Sequence, residues 1–277
     1  TKLFQCLALA SFNPEVTPKE YSVICSSHNG QKEHVEVVQK FLEKNKLSKK
    51  DLICTPHWSL EKNIFIDQVR KYKLPPKLLS NCSGKHSGML LLSKLLNTDP
   101  KGYETLEHPV QKKIIEIINN LSGQNILEFP FGVDGCGVPA FSAPIKVWAK
   151  AFASFADSKG LSDELKKGKE LISNAIYNEP LLIAGERRIC TAIAKDLGDR
   201  ITPKMGAEAV YCCSLNDTGL GLVLKCRDGS RRAVEFALGK IFSLLNYKIS
   251  KDLNKYFDPN IYNLSGKKIG LKEARLN

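Results

Sequence analysis

No apolar run in the 277 residues approaches the ~20 that a helix needs to cross a bilayer. A membrane-spanning role is therefore not expected, and no signal peptide is visible. Acidic residues are comparatively few: 29 against 41 Lys and Arg, a formal charge of +12. The cations are scattered, and their densest run, Lys44-Asn45-Lys46-Leu47-Ser48-Lys49-Lys50, falls in a loop after a helix. Zinc-finger spacing, RNP-like aromatic motifs and a basic-helix signature are all missing, so a solvated surface is expected and no nucleic-acid partner. There is no disulfide framework either. The nine cysteines, at 6, 25, 54, 82, 136, 190, 212, 213 and 226, are odd in number and irregular in spacing. In a chain this long that argues for free thiols in a reducing, cytoplasmic compartment.

Internal repeats and linkers are also missing, which leads us to expect one domain over 1–277, its polar end from 251 to 277 forming a peripheral tail. The chain begins without Met, and Thr1-Lys2-Leu3-Phe4-Gln5-Cys6-Leu7-Ala8-Leu9 reads as a helix already under way, so an upstream segment is expected to precede it.

What is there alternates helices with short strands. Helical spacing covers 32–47, 83–96, 109–121, 147–155, 163–177 and 231–246, with Pro109 well placed at a first helical position. Residues 20–26 (EYSVICS) are β-branched and apolar enough for a buried strand. Residues 207–215 and 219–227 read as a hairpin around Asn216-Asp217-Thr218. Together these predict an α+β layer architecture.

Two short motifs bear on chemistry. Ser27-His28-Asn29-Gly30 follows the EYSVICS segment, and Lys204-Met205-Gly206 precedes AEAVYCC. Alone, each is as readily a turn. In order, they stand in for the second and third stretches of the S-x-x-K, S-D-N, K-T-G set of penicillin-binding proteins and class A β-lactamases. Lys2 could close the first stretch, with its serine three residues earlier, before Thr1. Serine needs a base to attack at neutral pH, and a lysine can serve if burial and a second cation strip its proton.

The stretch NCSGKHSGM (81–89) crowds a thiol, an amine and an imidazole at the mouth of an apolar helix. Cys82, Lys85 and His86 stand at i, i+3 and i+4, hence on one face. A second cysteine, Cys136, lies between glycines in FPFGVDGCG (129–137), where a tight, exposed turn should leave its sulfur uncovered. Two thiols plus nitrogen donors suit zinc, with Lys85 ligating only as the neutral amine. Buried structural cysteines, or an acidic substrate held by Lys85 and His86, remain alternatives.

The phrases NCSGKHSGM, FGVDGCGVPAFSAPI (131–145), ERRICTAI, PKMGAEAVY and SSHNGQKEHV together resemble the serine-dependent, rhizobial-type L-asparaginases, or asparaginase II, from Lys2 to about Arg232. The resemblance implies hydrolysis of L-asparagine to L-aspartate and ammonia by a homodimer. It implies a layered fold similar to serine β-lactamases and glutaminases, a sheet flanked by helices, here N-terminally incomplete. By the same resemblance, Lys2 belongs to a first Ser-Lys pair whose serine lies outside the sequence, and Ser27 and Lys204 form the second. Zinc would be held by Cys82, Lys85 and Cys136. His86 and Asp134 would lie near the substrate, and Cys190 close to the site. The rivals are a glutaminase or β-lactam hydrolase on the same scaffold and a non-catalytic zinc-binding remnant.

Overall fold

A segment with no polar face must lie inside the molecule, and α1 (Lys2–Ala10) has none: every residue from Leu3 to Ala10 is buried. Burying Leu3, Phe4, Leu7 and Leu9 contributes about 1.5–3 kcal/mol apiece. The computed structural model describes residues 1–274, with 50% helix and 11% strand, the α+β mixture expected. After α1 come α2 (Pro18–Cys25), α3 (Lys32–Lys44), α4 (Lys62–Lys71), α5 (Ser83–Leu95) and α6 (Pro109–Ser122). A hairpin, β1 (Phe131–Val133) and β2 (Pro139–Phe141), precedes α7 (Ile145–Asp157), α8 (Asp163–Asn178) and α9 (Ile189–Leu197). Then β3 (Ile201–Met205), β4 (Val210–Leu215) and β5 (Leu220–Lys225) form an antiparallel sheet in that order. The chain continues through α10 (Arg231–Leu244), α11 (Lys251–Asn254) and a last hairpin, β6 (Asn260–Tyr262) and β7 (Lys268–Leu271). Among the described residues no helix is long and apolar enough to cross a membrane.

Helices α2, α5, α6 and α8 pack around α1, while α7 lies on β4 and β5 and α9 on β3. The buried side chains from Leu3 to Phe257 form one connected core. Where backbones come closest, glycine is required. A Cβ on Gly84 would collide with the Val23 carbonyl of α2, and one on Gly88 would stand 2.8 Å from Ile24 Cγ2. The two glycines, four apart on one face of α5, therefore let its first turns lie against the end of α2.

The structure corrects several sequence expectations. Residues 20–26 are not a strand but most of α2. A fully buried segment carries no polar periodicity to separate helix from strand, and here the local signals decide. Thr17 Oγ1 accepts from Glu20 N–H at 3.4 Å, the Glu20 carboxylate accepts from Thr17 N–H at 2.7 Å, and Pro18 sits in the first turn. That is a capping box, legible in Thr17-Pro18-Lys19-Glu20. Lys204 precedes the AEAVYCC strand as expected, but it also lies within a strand of its own, β3, which was not foreseen, nor were α4 and α9. The end of the chain is less peripheral than expected. Leu253 and Phe257 are buried, and Phe257 packs edge-on against Phe242 of α10, with ring centroids 6.0 Å apart. The final residues of that expected tail, 275–277, lie outside the described residues.

Gly84→Ala should destabilise the chain by about 3 kcal/mol or more, because backbone and not a flexible side chain blocks the new methyl. Gly132→Ala, where a Cβ meets nothing within 4 Å, should leave the denaturation midpoint within ~0.5 kcal/mol of wild type. Equal midpoints for both variants would contradict this account of the α2–α5 contact.

Candidate active site

The end of α2 delivers the chain into an extended stretch held from both sides. Ser27 N–H donates to Ile183 O at 3.2 Å and Asn29 N–H to Ala184 O at 2.9 Å, while His28 N–H donates to Asn81 O at 3.3 Å. Alternate residues of an extended chain share a side, so Ser27 and Asn29 emerge together and His28 opposite. His28 Nδ1 accepts from Gly30 N–H at 3.0 Å, leaving Nε2–H to donate to Ser83 Oγ at 2.9 Å. The ring stacks on His34 at 4.9 Å, and burial holds both imidazoles neutral, His34 down to about 4. From α4, the buried Gln68 donates to Asn29 O at 3.3 Å and Gly30 O at 2.9 Å, and accepts from Ser59 N–H at 2.8 Å. Behind α5, His57 Nε2 accepts from Asn81 N–H at 3.0 Å.

Lys204 reaches from β3 to Ser27. Its Nζ is 2.9 Å from Ser27 Oγ and donates to Met205 O at 2.5 Å. Burial, and then the positive charge of Lys2, push its amine down to about 7. When Lys204 is charged it donates to Ser27; once neutral, it offers a lone pair to the Ser27 hydroxyl. Lys2 Nζ donates to Ser26 O at 2.6 Å and Asn81 O at 3.3 Å. Burial lowers its pKa against the opposing pull of Cys82. A neutral lysine has two N–H bonds, so these two carbonyls can occupy both and leave a lone pair free. Cys190, 2% exposed, accepts from Met205 N–H at 3.2 Å, directly behind Lys204.

The cysteine pair forms the floor. An Asx turn, with Cys136 N–H on Asp134 Oδ1 at 2.6 Å, and Gly137 at φ +92° close the loop between β1 and β2. Contrary to expectation, the turn is folded inward: Cys136 is 7% exposed. Its sulfur is 2.6 Å from Lys85 Nζ, which also lies 3.4 Å from Asp134 Oδ2. Cys136, with the positive charges of Lys2 and Lys85 nearby, favours the Cys82 thiolate against the opposing effect of burial. Burial would discharge Lys85, but the sulfurs of Cys82 and Cys136 and the Asp134 carboxylate outweigh it and keep it charged. Burial opposes the Asp134 charge, while Lys85 more than restores it and lowers the carboxyl pKa. Among the described residues no group of three or more His, Cys, Asp and Glu could hold a metal. A centre here would therefore need Lys85 as a ligand. Two sulfurs, one disposed to be thiolate, and the Lys85 nitrogen beside the other are donor types that suit zinc, provided that binding displaces the proton Lys85 otherwise keeps.

His86, on the same helical face as Lys85, turns to a different partner. Tyr103 OH accepts from Ile53 N–H at 3.1 Å and donates to His86 Nδ1 at 2.6 Å. The imidazole proton is then on Nε2, a buried atom without a partner among the described residues. The structure thus gathers Lys2, Ser27, Lys204, Cys82, Lys85, Cys136, Asp134, His86 and Cys190 around the mouth of α5. Sequence reasoning passed over Arg188, which donates to Asn29 Oδ1 at 2.5 Å. Its place in ERRICTAI, two before Cys190, was the available signal.

The family described as L-asparaginase II matches residues 1–274. No curated protein matches the chain.

Lys204 supplies a test of the site's electrostatics. Its folded pKa of about 7 lies below the ordinary 10.5, so between those values the unfolded chain binds more protons and stability rises with pH. The burial penalty is full below pH 7 and gone above 10.5. Lys204→Met should therefore gain most over wild type in melting temperature at pH 7, and the gain should shrink toward pH 10.5. A gain independent of pH would mean that Lys204 does not titrate in this window.

Proposed function

The chain belongs to the L-asparaginase II family, and on that premise we propose that it hydrolyses L-asparagine to L-aspartate and ammonia through a serine acyl-enzyme served by two Ser-Lys pairs. Membership itself points to asparagine amidohydrolase activity. The observation that carries the finer reading is the Ser27–Lys204 contact at 2.9 Å, with the lysine brought to about 7 by burial. A hydroxyl beside an amine of that basicity is poised for proton transfer near neutral pH.

In this reading Lys2 is the lysine of the first pair, and its acylating serine is expected three residues earlier, outside the sequence. That serine adds to the side-chain amide carbon as its proton passes to Lys2. Negative charge grows on the amide oxygen beside buried cations, where such stabilisation is strong. Ser27 relays a proton from Lys204 to the departing nitrogen, and ammonia leaves. Water then adds to the acyl carbon, losing its proton through Ser27 to the now neutral Lys204; the serine ester bond breaks as the serine oxygen takes back the proton held by Lys2, and aspartate is released. Cys82, Lys85 and Cys136 would hold the zinc that the family resemblance implies. Bound there, it would supply a fixed positive charge for orienting the substrate. The orphaned Nε2–H of His86 and the carboxylate of Asp134 are the groups left to meet the substrate's polar ends.

The wider reading is one domain with a β-lactamase-like layering, α7 and α9 against the β3–β4–β5 sheet, acting as a homodimer in the cytoplasm. Nine free cysteines agree with a reducing compartment.

The 2.9 Å contact also favours a second reading, in which Ser27 itself is acylated. A quenched reaction analysed by mass separates the two: an adduct on the Ser27 peptide replaces the first reading by the second.

With the upstream segment present, Ser27→Ala and Lys204→Ala should each lower kcat for ammonia release by ~100-fold or more, and kcat/KM should fall as pH rises through about 7, where Lys204 loses the proton it relays. Cys82→Ser should mainly raise KM and reduce bound zinc, measured by elemental analysis. Loss of turnover in Cys82→Ser with substrate binding intact would assign the metal a chemical role. Faster ammonia release from glutamine, or nitrocefin turnover, would transfer the reading to a glutaminase or a β-lactam hydrolase. No turnover of any of these by the complete protein would leave the zinc-binding remnant.

A further inference from the structure

Arg188 is a cation that the mechanism above does not use. It caps α9, and the turn before it is tightly wound, with Gly185 at φ +110° and Arg187 at φ +55°. A Cβ on Gly185 would press against Asn29 Nδ2 at 2.7 Å, so the turn and Asn29 are fitted to one another. Asn29 Nδ2 donates to Glu186 O at 3.0 Å, which fixes the amide with its oxygen toward Arg188 NH1 at 2.5 Å. Arg188 is only 7% exposed. No carboxylate of the described residues forms an ion pair with it. The groups that favour its charge are Cys190 first and then, more weakly, Glu61 and Glu235, and Glu61 itself meets Arg231 at 4.0 Å.

A guanidinium cannot discharge itself as a buried lysine can, and one neutral amide oxygen answers only one of its five N–H donors. A desolvated, unpaired charge of this kind is costly unless an anion joins it. The anion's source follows from the local geometry. Ser27 and Asn29 leave the same side of one extended stretch, about 7 Å apart, Ser27 on Lys204 and Asn29 on Arg188. A proton-transfer pair and an unanswered guanidinium thus stand side by side, at a spacing that the two ends of a short amino acid can bridge. The planar fork of arginine matches a carboxylate.

We propose that Arg188, positioned by Asn29, receives the α-carboxylate of the substrate, so that the site selects amides bearing a free carboxylate beside the scissile group. This rests on the amide-hydrolase reading.

The test compares L-asparagine with its α-amide, L-asparaginamide, using the complete protein. Wild type should show a KM on the order of 10- to 100-fold higher for the α-amide, the factor expected for one charged hydrogen-bonding contact. Arg188→Met should raise KM for L-asparagine by the same factor, with kcat little changed and KM for the α-amide unmoved. Arg188→Lys should recover part of the loss. Equal KM values for the two amides in wild type overturn the proposal even if no variant folds. So does an Arg188→Met defect that is equal on both substrates, the mark of a merely structural arginine. If wild type releases no ammonia from L-asparagine, the amidase reading fails by itself, and calorimetry with L-aspartate decides the role of Arg188. Binding by wild type that Arg188→Met loses supports it; equal binding, or none, overturns it.

Discussion

A positive charge withdrawn from water must find an anion, lose its proton, or be left at high cost. Around the mouth of α5 the protein confronts that choice four times, and each cation resolves it differently. Lys85 stays charged because sulfur and the Asp134 carboxylate surround it. Lys204 forms no ion pair with a carboxylate among the described residues and is driven toward the neutral amine, 2.9 Å from a serine. Lys2 rests on two backbone carbonyls. Arg188 cannot lose its proton and meets one amide oxygen, and we assign it the substrate's carboxylate. The chemistry we assign to the site is the set of these four solutions.

Such desolvation depends on close packing. The amines are dry because α2 and α5 approach until glycine alone fits between them, at Gly84 and Gly88. Buried and half-buried polar residues then hold the backbone that carries the site. Gln68 pins the carbonyls of Asn29 and Gly30, His57 pins the amide of Asn81, and the neutral His28 ties the stretch after α2 to Ser83. Each is satisfied by backbone or hydroxyl partners, as buried polar groups must be. The glycines of NCSGKHSGM thus serve the approach of two helices, while its cysteine, lysine and histidine serve the site.

The amphipathic helices were legible because one face of each meets water, and the β4–β5 hairpin because Asn216-Asp217-Thr218 sits between two β-rich runs. Buried segments were harder. EYSVICS looked like a strand since nothing along it is polar at a helical period, although its capping box stood just upstream. The inward fold of the Cys136 turn was hidden too. Flanking glycines announce a turn but not its direction, and only the contact with Lys85 sets that. Arg188 escaped notice because a lone arginine in sequence is ordinarily a surface residue.

Residue types and their order by themselves determined the family, the reactive groups and most of the helices, since these depend on local pattern and on side-chain chemistry. Which amines are dry, which cysteine faces which lysine, and that Arg188 forms no ion pair among the described residues were decided only in three dimensions. Charge state in an interior depends on what the fold places within a few ångströms, and those neighbours come from segments as distant along the chain as Lys2, Cys136 and Lys204.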